Sequence, residues 1–182
     1  MTPVTLSADS ELELLDRAAR GDRSALEALY VRTRDRLLTV FHYLCGDDAT
    51  ADDLVHEVYL KLWEGRNRIA VKERPMAYLC AMGRNLWQNQ QRRKAILRRI
   101  QESTVPKRAV EEDDRKQIVE RAIQELVPDV REVFTLHRHG GMSYAEIAHA
   151  LEISVKTVEA RMKRAFDELR RILRPQLESE AL

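Results

Sequence analysis

Apolar residues recur every three or four positions along almost the whole chain, and no segment alternates strictly between apolar and polar residues as a half-buried β-strand would. The first such segment covers residues 11–20 and ends at Gly21. The second follows Asp22, a residue type that caps helices, and ends at Gly46. No self-similar repeat of about 20–50 residues is evident, which argues against a solenoid. The spacing therefore predicts an all-α fold.

Two more helices are predicted before this pattern fades. Thr50 and Asp53 stand three positions apart, close to a capping box, and predict the start of a third helix that ends at Gly65. Pro75 suits the first turn of a fourth helix. The inward positions are expected at Leu54, Val55, Val58, Leu62, Trp63, Met76, Leu79, Cys80, Gly83, Leu86 and Trp87. These four helices predict a first domain over residues 8–99.

A second helical domain is predicted after an interruption at residues 100–116, where Pro106 and an acidic run are typical of a linker. The second domain begins near Gln117 and extends to residue 175, with Pro128 opening its next helix. In its first helix Ile118, Val119, Ala122, Ile123 and Leu126 recur at helical spacing, and the next helix contains Val130, Val133, Phe134 and His137. The predicted fold is thus all-α, with two small helical domains joined by a flexible linker.

Composition excludes several classes of protein. No apolar run approaches the roughly 18 residues of a membrane-spanning helix, and the N-terminus lacks the features of a secretory signal. The chain has only two cysteines, Cys45 and Cys80, so we do not expect a fold held together by several disulfide bonds. We therefore expect a protein that does not insert into a membrane and that resides in the reducing cytoplasm.

Charge is balanced overall but is unevenly distributed. The chain has 31 basic and 30 acidic residues, for a net charge of +1, so the total neither favours nor excludes a nucleic-acid partner. Residues 84–99 include six basic residues and no acid, whereas residues 47–64 include six acids and one base. Residues 156–174 hold seven basic residues against three acids. Such stripes suggest several partners on different faces.

The most specific motif is a helix-turn-helix over residues 143–171. Ser143 and Glu146 match an S-x-x-E capping box at the start of a short helix. A tight turn at residues 152–153 follows, and Ser154 is placed to cap the next helix. Two short helices joined by so tight a turn cross steeply, as they do in DNA-binding helix-turn-helix proteins.

The second helix of this motif has two contrasting faces at 100° per residue. Its buried stripe is expected at Val158, Met162, Ala165 and Leu169. The opposite face holds Lys156, Thr157, Ala160, Lys163 and Arg164. That face supplies positive charge for phosphates, a hydroxyl for base edges and a small residue that permits close approach, as a recognition helix requires. A basic amphipathic helix on an ordinary surface is the alternative.

Residues 84–94 of the fourth helix combine cations, amides and an indole. Amides can hydrogen-bond base edges, cations can hold the phosphate backbone, and Trp87 can stack on an unpaired base. Trp87 lies three residues after Arg84 and one turn before Gln91, so it can border the same face. The alternative is that Trp87 packs in the core beside Leu86 while the cations are solvated.

The chain resembles a bacterial RNA polymerase sigma factor of the extracytoplasmic-function type, in the sigma-70 family. The resemblance covers about residues 11–174 and depends on the order and spacing of five segments. In the first block these are DDLVHEVYLKLW at 52–63 and PMAYLCAMGRNL at 75–86. In the second block they are LVPDVREVFTL at 126–136, SYAEIA at 143–148 and TVEAR at 157–161.

The resemblance implies three sets of contacts and two partners, core RNA polymerase and promoter DNA. The acidic helix would dock on the polymerase clamp helices through Asp52, Asp53, Leu54, Glu57, Val58 and Leu60. The −10 element would be held, with one base captured out of the stack, by Arg66, Asn67, Arg68, Arg84, Asn85, Trp87, Gln88, Arg92 and Arg93. The −35 element would be contacted by Ser154, Lys156, Thr157, Ala160, Arg161, Lys163 and Arg164. The linker would pass through the polymerase cleft.

A few of these positions also suit a purely structural role, and a few depart from the family pattern. Acids at 52 and 53 favour a helix N-terminus, although this does not account for Glu57. Many relatives have Arg or another polar residue where Glu159 stands, and often a small residue in place of Lys156. An acid at 159 repels phosphate but can accept a hydrogen bond from a cytosine amine. These departures concern the −35 sequence rather than the role.

No catalytic or metal-binding pattern is present. The chain lacks a phosphate-binding loop, a dinucleotide fingerprint and a nucleophile elbow, and the pairs His42/Cys45 and His137/His139 do not complete a four-ligand set. Aspartate pairs without a phosphate-binding loop are weak signs of Mg²⁺. We expect no enzymatic activity, no catalytic residue, no metal or cofactor and no small-molecule substrate. A redox role for the two cysteines stays open.

The predicted function is a cytoplasmic initiation factor that binds core polymerase, recognises −10 and −35 elements and promotes promoter melting. One alternative is a transcriptional regulator that binds duplex DNA without polymerase. Another is an adaptor that uses its helices only for protein contacts. The Arg, Asn and Trp residues at 84–93 favour the initiation factor. Members of this family are commonly held inactive by an anti-sigma partner, and none is identified by these residues.

Overall fold

The computed structural model describes residues 10–69, 74–98 and 114–179, and these ranges contain no β-strand. Their eight α-helices are α1 (Glu11–Ala19), α2 (Arg23–Cys45), α3 (Asp48–Glu64), α4 (Pro75–Arg98), α5 (Asp114–Glu125), α6 (Pro128–Arg138), α7 (Tyr144–Leu151) and α8 (Val155–Ser179). The predicted all-α class is confirmed. Most of the predicted linker lies outside the described residues, and α5 begins three residues before the expected Gln117. No helix in the described part of the chain is long and apolar enough to cross a membrane.

Side-chain caps and glycines set the first helix boundaries. Asp22 caps α2, and Gly46 ends it in the left-handed conformation with φ of 83°. Asp47 then caps α3, because its carboxylate accepts the backbone N–H of Thr50 at 2.8 Å. The capping box predicted at Thr50 and Asp53 is therefore wrong. A stronger acceptor three residues earlier places Thr50 inside the first turn.

The first block packs α1, α3 and α4 around α2. Phe41 is fully buried at its centre. Gly83 brings α4 close to this ring, since a Cβ at that position would lie 2.1 Å from Cζ of Phe41. The predicted core positions Leu54 and Leu62 are buried, whereas Trp63 is only half-buried. The close approach at Gly83 fixes which side of α4 faces the core and which side faces away.

The second block packs α5, α6 and α7 on α8. The predicted stripe of α8 is confirmed, because Val158, Met162, Ala165 and Leu169 are all buried. In α5, Val119 belongs to the apolar repeat but is 45% exposed, and in α6, His137 is exposed. The buried stripe of α5 consists instead of Ala122 and Ile123 and continues to Leu126.

The two blocks are packed against each other, an arrangement that the sequence left open. Helix α2 contacts α6. The ring of Tyr43 stacks on His139, with 5.0 Å between centroids and 24° between planes. Gly140 lies against Cys80, since a Cβ on the glycine would come within 3.3 Å of the cysteine Sγ. As a result, one side of α4 faces α7 of the second block across a cleft.

Candidate nucleic-acid interface

The predicted helix-turn-helix is confirmed by its hydrogen bonds. Ser143 Oγ accepts the Glu146 N–H at 3.3 Å, and the Glu146 carboxylate accepts the Ser143 N–H at 2.7 Å, which completes the capping box. Helix α7 ends at Glu152, whose φ of 55° is left-handed. Ser154 Oγ then accepts the Thr157 N–H at 3.1 Å and begins α8. Two local caps thus hold the tight turn on both sides.

The outer face of α8 is open to solvent over most of its predicted −35 contacts. Its exposed members are Ser154, Lys156, Ala160, Lys163 and Arg164, with Thr157 half-buried beside them. Arg164 Nε donates to Glu168 at 2.6 Å, but its side chain is still 58% exposed. This face therefore presents cations and a small residue at helical spacing, as the sequence predicted.

Arg161 differs from the other candidates on α8. Its side chain is only 25% exposed and pairs with Asp129 of α6 at 2.6 Å. The ion pair joins the recognition helix to the first turn of α6. Arg161 thus helps to hold α8 against α6 within the second block.

Four of the predicted −10 contacts lie along one side of α4, where they line a cleft of about 1560 Å³ toward α7. They are Arg84, Asn85, Gln88 and Arg92. Trp87 does not line this cleft: it is half-buried and packs against the core, with the Lys94 ammonium 5.7 Å from its ring centroid. The packing of Trp87 agrees with the alternative of a core tryptophan.

Arg84 is already bound by the second block. Its Nε donates to Oε1 of Glu132 on α6 at 2.8 Å, and its Nη1 donates to the carbonyl of Ala150 on α7 at 3.1 Å. The arginine and glutamate side chains are 14% and 17% exposed. Most of the guanidinium is thus withdrawn from solvent in this arrangement of the blocks.

Arg74 belongs to the same surface, although no motif in the sequence singles it out. Its Nη1 pairs with Glu146 at 2.7 Å, and its Nη2 donates to the carbonyl of Gly141 at 2.9 Å. Its φ of 51° lies in the left-handed region, which is unfavourable for a residue with a Cβ. No local pattern signals this residue, because its partners stand about 70 positions later in the chain.

The loop candidates follow the end of α3. Arg66, Asn67 and Arg68 form one turn of 3₁₀-helix. The Arg66 guanidinium lies 4.6 Å from the ring centroid of Trp63, and its Nη1 donates to the Trp63 carbonyl at 2.9 Å. Asn67 and Arg68 are exposed. Arg93, a predicted contact on α4, is exposed as well. Arg66 thus ties this turn to the end of α3, while its neighbours stay open to solvent.

Helix α3 divides the predicted polymerase contacts between core and surface. Leu54 and Val58 are 1% and 0% exposed, so the expectation that they touch a partner directly is not supported, and they pack in the core instead. Leu60 is 56% exposed, and Asp53 is exposed on the same helix. Of the three predicted apolar contacts on α3, Leu60 is therefore the exposed one.

Two further acids of α3 are held by neighbouring helices. Asp52 pairs with Arg34 of α2 at 2.7 Å, and Arg34 in turn donates to the hydroxyl of Tyr30 at 3.1 Å. Glu57 accepts a hydrogen bond from the Gln90 side chain of α4 at 2.8 Å. Both carboxylates are half-buried and have defined positions on the surface.

The metal-like and redox-like residues show no shared site in the described ranges. No group of three or more His, Cys, Asp or Glu side chains in these ranges is arranged to hold a metal ion. Cys45 and Cys80 are both free thiols, and burial raises the pKa of each to about 12. Such thiols are protonated near neutral pH and react slowly.

Two regions of one family match this chain in order. Sigma-70 region 2 matches residues 29–96, and Sigma-70, region 4 matches residues 116–169, which together exceed half of the chain. The ECF RNA polymerase sigma factor SigK of Mycobacterium ulcerans is 27% identical over 172 residues, covering 88% of this chain and 91% of that protein. The RNA polymerase sigma-H factor of Pseudomonas aeruginosa is 25% identical over 191 residues, covering 94% and 98%.

Two solved structures share the fold of this chain. The sigma factor RpoE of Bartonella quintana, in complex with the anti-sigma factor NepR, matches with a TM-score of 0.69 and 22% identity, over 81% of this chain and 96% of that chain. CnrH, in complex with the cytosolic domain of CnrY, matches with a TM-score of 0.69 and 25% identity, over 92% and 99%. The curated relatives are transcription initiation factors rather than enzymes. The chain therefore belongs to the sigma-70 family of bacterial RNA polymerase sigma factors, and within it to the extracytoplasmic-function type.

Proposed function

We propose that this chain binds core RNA polymerase in the cytoplasm and directs it to promoters whose −10 and −35 elements it recognises. The polymerase performs the chemistry, and the chain contributes binding and strand separation. The observation that carries the proposal is the helix-turn-helix, which buries one stripe of α8 and leaves the opposite basic face open. We assign polymerase binding and the −10 element to residues 8–99, within which the region 2 match covers 29–96, and the −35 element to residues 117–175, which overlap the region 4 match at 116–169.

For the −35 element, α8 enters the major groove with its N-terminal half. Lys156 and Thr157 lie in the first turn, where a recognition helix contacts base edges. Ala160 permits close approach, while Lys163 and Arg164 bind phosphates. Ser154 contributes chiefly as the cap of α8, and Arg161 positions the helix through its ion pair with Asp129.

For the −10 element, the cleft side of α4 is the proposed binding surface. The amides of Asn85 and Gln88 hydrogen-bond bases, and Arg84 and Arg92 bind the backbone. Arg66, Asn67, Arg68 and Arg93 extend the basic surface. Unstacking a base pair step costs a few kcal/mol, so the strand must be held by several such contacts at once. Trp87 is left out of this surface because it packs against the core.

Polymerase docking is assigned to the exposed part of α3. Asp52, Asp53 and Glu57 supply negative charge, and Leu60 supplies an exposed apolar side chain. Val31 of α2 is a further large apolar residue with 57% exposure. A basic coiled coil with apolar contacts has the complementary chemistry.

An anti-sigma protein is a second proposed partner. CnrH, which shares this fold at 25% identity, was solved bound to the cytosolic domain of CnrY. A free sigma factor with an exposed acidic and apolar surface is stabilised when a partner protein covers that surface. We therefore propose that an anti-sigma protein binds the present chain and competes with polymerase.

The proposal is tested by run-off transcription with purified bacterial core polymerase on a library of promoters, with and without this chain. We expect promoter-specific transcripts that depend on the chain and that define both elements. The double variant Asp53→Lys, Glu57→Lys should lose co-elution with core enzyme and lose transcripts, while its helical circular dichroism is retained. The matched control is Asp16→Lys, Glu27→Lys, which reverses two exposed acids of the same block on α1 and α2.

Each alternative has its own signature in this assay. Absence of transcripts together with tight duplex binding by the chain alone would favour a regulator. Absence of transcripts, of DNA binding and of polymerase pull-down would favour an adaptor. Normal polymerase binding by the Asp53→Lys, Glu57→Lys variant would contradict the docking surface on α3 without affecting the assignment of α8.

A further inference from the structure

Glu159 is an acid beside the cations of α8 that are proposed to contact the −35 element. Its side chain is exposed, as are those of Lys156 and Lys163. At 100° per residue it lies about 60° from Lys156 and about 40° from Lys163 around the helix axis. A carboxylate at this place weakens the attraction of the helix for phosphates, so binding of the DNA backbone does not account for it.

The carboxylate of Glu159 is not used to hold the fold either. Within the residues that the structure describes it makes no hydrogen bond and no ion pair, although Lys156 and Lys163 stand three and four positions away on the same helix. Arg164 and Glu168, with the same spacing of four, do pair at 2.6 Å. The acid of Glu159 is thus available to a group outside the chain.

Glu159 lies in the part of α8 from which a recognition helix contacts base edges. It is the fifth residue of this helix, and recognition helices contact bases through their N-terminal residues. Ala160 beside it is small and exposed, which permits close approach to the groove. The cap at Ser154 and the ion pair of Arg161 with Asp129 at 2.6 Å hold this part of α8 in a defined orientation.

The chemistry of a carboxylate favours one of the four bases. A carboxylate only accepts hydrogen bonds. In the major groove guanine presents two acceptors, and thymine presents an acceptor and a methyl group, so neither can donate to it. Adenine presents its N6 donor beside the N7 acceptor, which repels a carboxylate, whereas cytosine presents the N4 amine without that acceptor. Cytosine is therefore the base that Glu159 binds best.

We propose that Glu159 is a specificity-determining residue of the −35 contact and that it accepts a hydrogen bond from the N4 amine of one cytosine. Lys156 stands three positions earlier, about 4.5 Å along the helix axis, which is close to the step of about 3.4 Å between base pairs. Lys156 then donates to a guanine in the neighbouring base pair. The inference rests on the −35 role of α8 proposed above and goes beyond it by naming the bases.

An acid that reads a base and an acid that only repels phosphates behave differently when they are neutralised. If Glu159 only repels phosphates, its neutralisation strengthens binding to every sequence by the same factor. If Glu159 binds cytosine, its neutralisation changes the favoured base at one position and leaves the other positions as they were. The pattern of base preference therefore separates the two roles, whereas overall affinity does not.

The test uses a promoter found by the run-off assay, with the base pairs of its −35 element randomised and each sequence linked to a barcode in the transcript. Core polymerase with the parent chain should favour cytosine at one position by about tenfold over the other bases. Glu159→Ala should reduce this preference to less than about twofold. Glu159→Gln should move the preference to adenine, because an amide can bind N6 and N7 together.

Asp167→Asn is the matched control, because it makes the same change of charge on the same helix. Asp167 is exposed, has no partner in the described part of the chain, and lies eight residues after Glu159, about 12 Å along the helix axis. We expect this variant to share any general gain in affinity and to keep the base preferences of the parent. Helical circular dichroism checks that each variant is folded.

Two results would overturn the inference. One is selection of the same bases at every position by the parent and by Glu159→Gln. The other is a gain for Glu159→Gln that is equal for all sequences and equal to that of Asp167→Asn. Transcripts that depend on the parent chain would still support the proposed function in both cases. Their absence would contradict the proposed function itself and this inference with it, so the two failures are distinguishable.

Discussion

Helices α4 and α8 carry similar residues but present them differently. Both have cations and small or polar residues along one side, and both are candidates for contact with DNA. On α8 the cations Lys156, Lys163 and Arg164 are exposed, and the partner of Arg164 belongs to the same helix. On α4, Arg84 is bound by a glutamate 48 positions later in the chain. A basic stripe in the sequence therefore indicates what a surface can bind, whereas its availability depends on distant parts of the chain.

The small residues of the two helices should respond very differently to the same substitution. Gly83→Leu should lower the free energy of unfolding by about 3 kcal/mol or more, because even its Cβ would lie 2.1 Å from Phe41. Ala160→Leu on the exposed face of α8 should change it by no more than about 0.5 kcal/mol, while weakening duplex binding. Urea unfolding and fluorescence anisotropy measure the two effects. A Gly83→Leu variant as stable as the parent would contradict the seating of α4 on Phe41.

Removing an arginine should also distinguish the two helices. Arg84→Ala should lower the free energy of unfolding by about 1–3 kcal/mol, because Glu132 is then left largely buried without its partner. Arg164→Ala should change it by at most about 0.5 kcal/mol, because this side chain is 58% exposed. Urea unfolding measures both variants. The double variant Arg84→Ala, Glu132→Ala should recover much of the loss, and an unrecovered loss would point to a role of Arg84 other than this ion pair.

The contact between the blocks should weaken in mild acid. Burial, with a contribution from Arg138, lowers the pKa of His139 below its ordinary value of 6.5. Between the two pKa values the unfolded chain binds more protons than the folded chain, so the free energy of unfolding falls as the pH is lowered through about 6.5. We expect His139→Gln to show a smaller fall between about pH 7.5 and about pH 5.5 in urea unfolding. The matched control is His149→Gln, which replaces an exposed histidine of α7.

The smallest change is expected in the salt dependence of duplex binding. Arg164→Ala should reduce the slope of log K against log salt by about 0.9, the value for one lost phosphate contact. Arg84→Ala should leave the slope for an isolated −35 duplex unchanged, because α4 does not contact that element. Anisotropy titrations at several salt concentrations measure both slopes. An unchanged slope for Arg164→Ala would remove this residue from the proposed phosphate contacts.

Several features of the protein followed from interactions between residues close together in the sequence. The capping box of Ser143 and Glu146 and the cap at Ser154 each join residues three positions apart, so their pattern was visible without tertiary structure. The buried stripe of α8 followed from helical spacing for the same reason. The cap of α3 was misassigned to Thr50 because two candidate caps stood three residues apart and Asp47 is the stronger acceptor.

Positions on the boundary between two faces were harder to assign. Trp87 lies at the edge between the core side and the cleft side of α4, where an angular estimate does not discriminate, and packing against the core decided its place. Leu54 and Val58 matched both a docking segment and a core stripe. Their burial in the first block assigns them to the core. Helical spacing alone could not decide this, because it does not show how wide the buried stripe of a helix is.

The helices, their boundaries and the basic face of α8 were thus encoded locally, because caps and helical periodicity act over one or two turns. The accessibility of the arginines that line the cleft was not encoded locally. Arg84 pairs with Glu132, 48 positions later, and Arg74 pairs with Glu146, 72 positions later. Such pairs leave no periodic trace in a sequence, because a surface arginine looks the same whether water, a phosphate or a carboxylate satisfies it. Folding alone brings the second block to α4 and turns a candidate DNA surface into one that the chain itself covers.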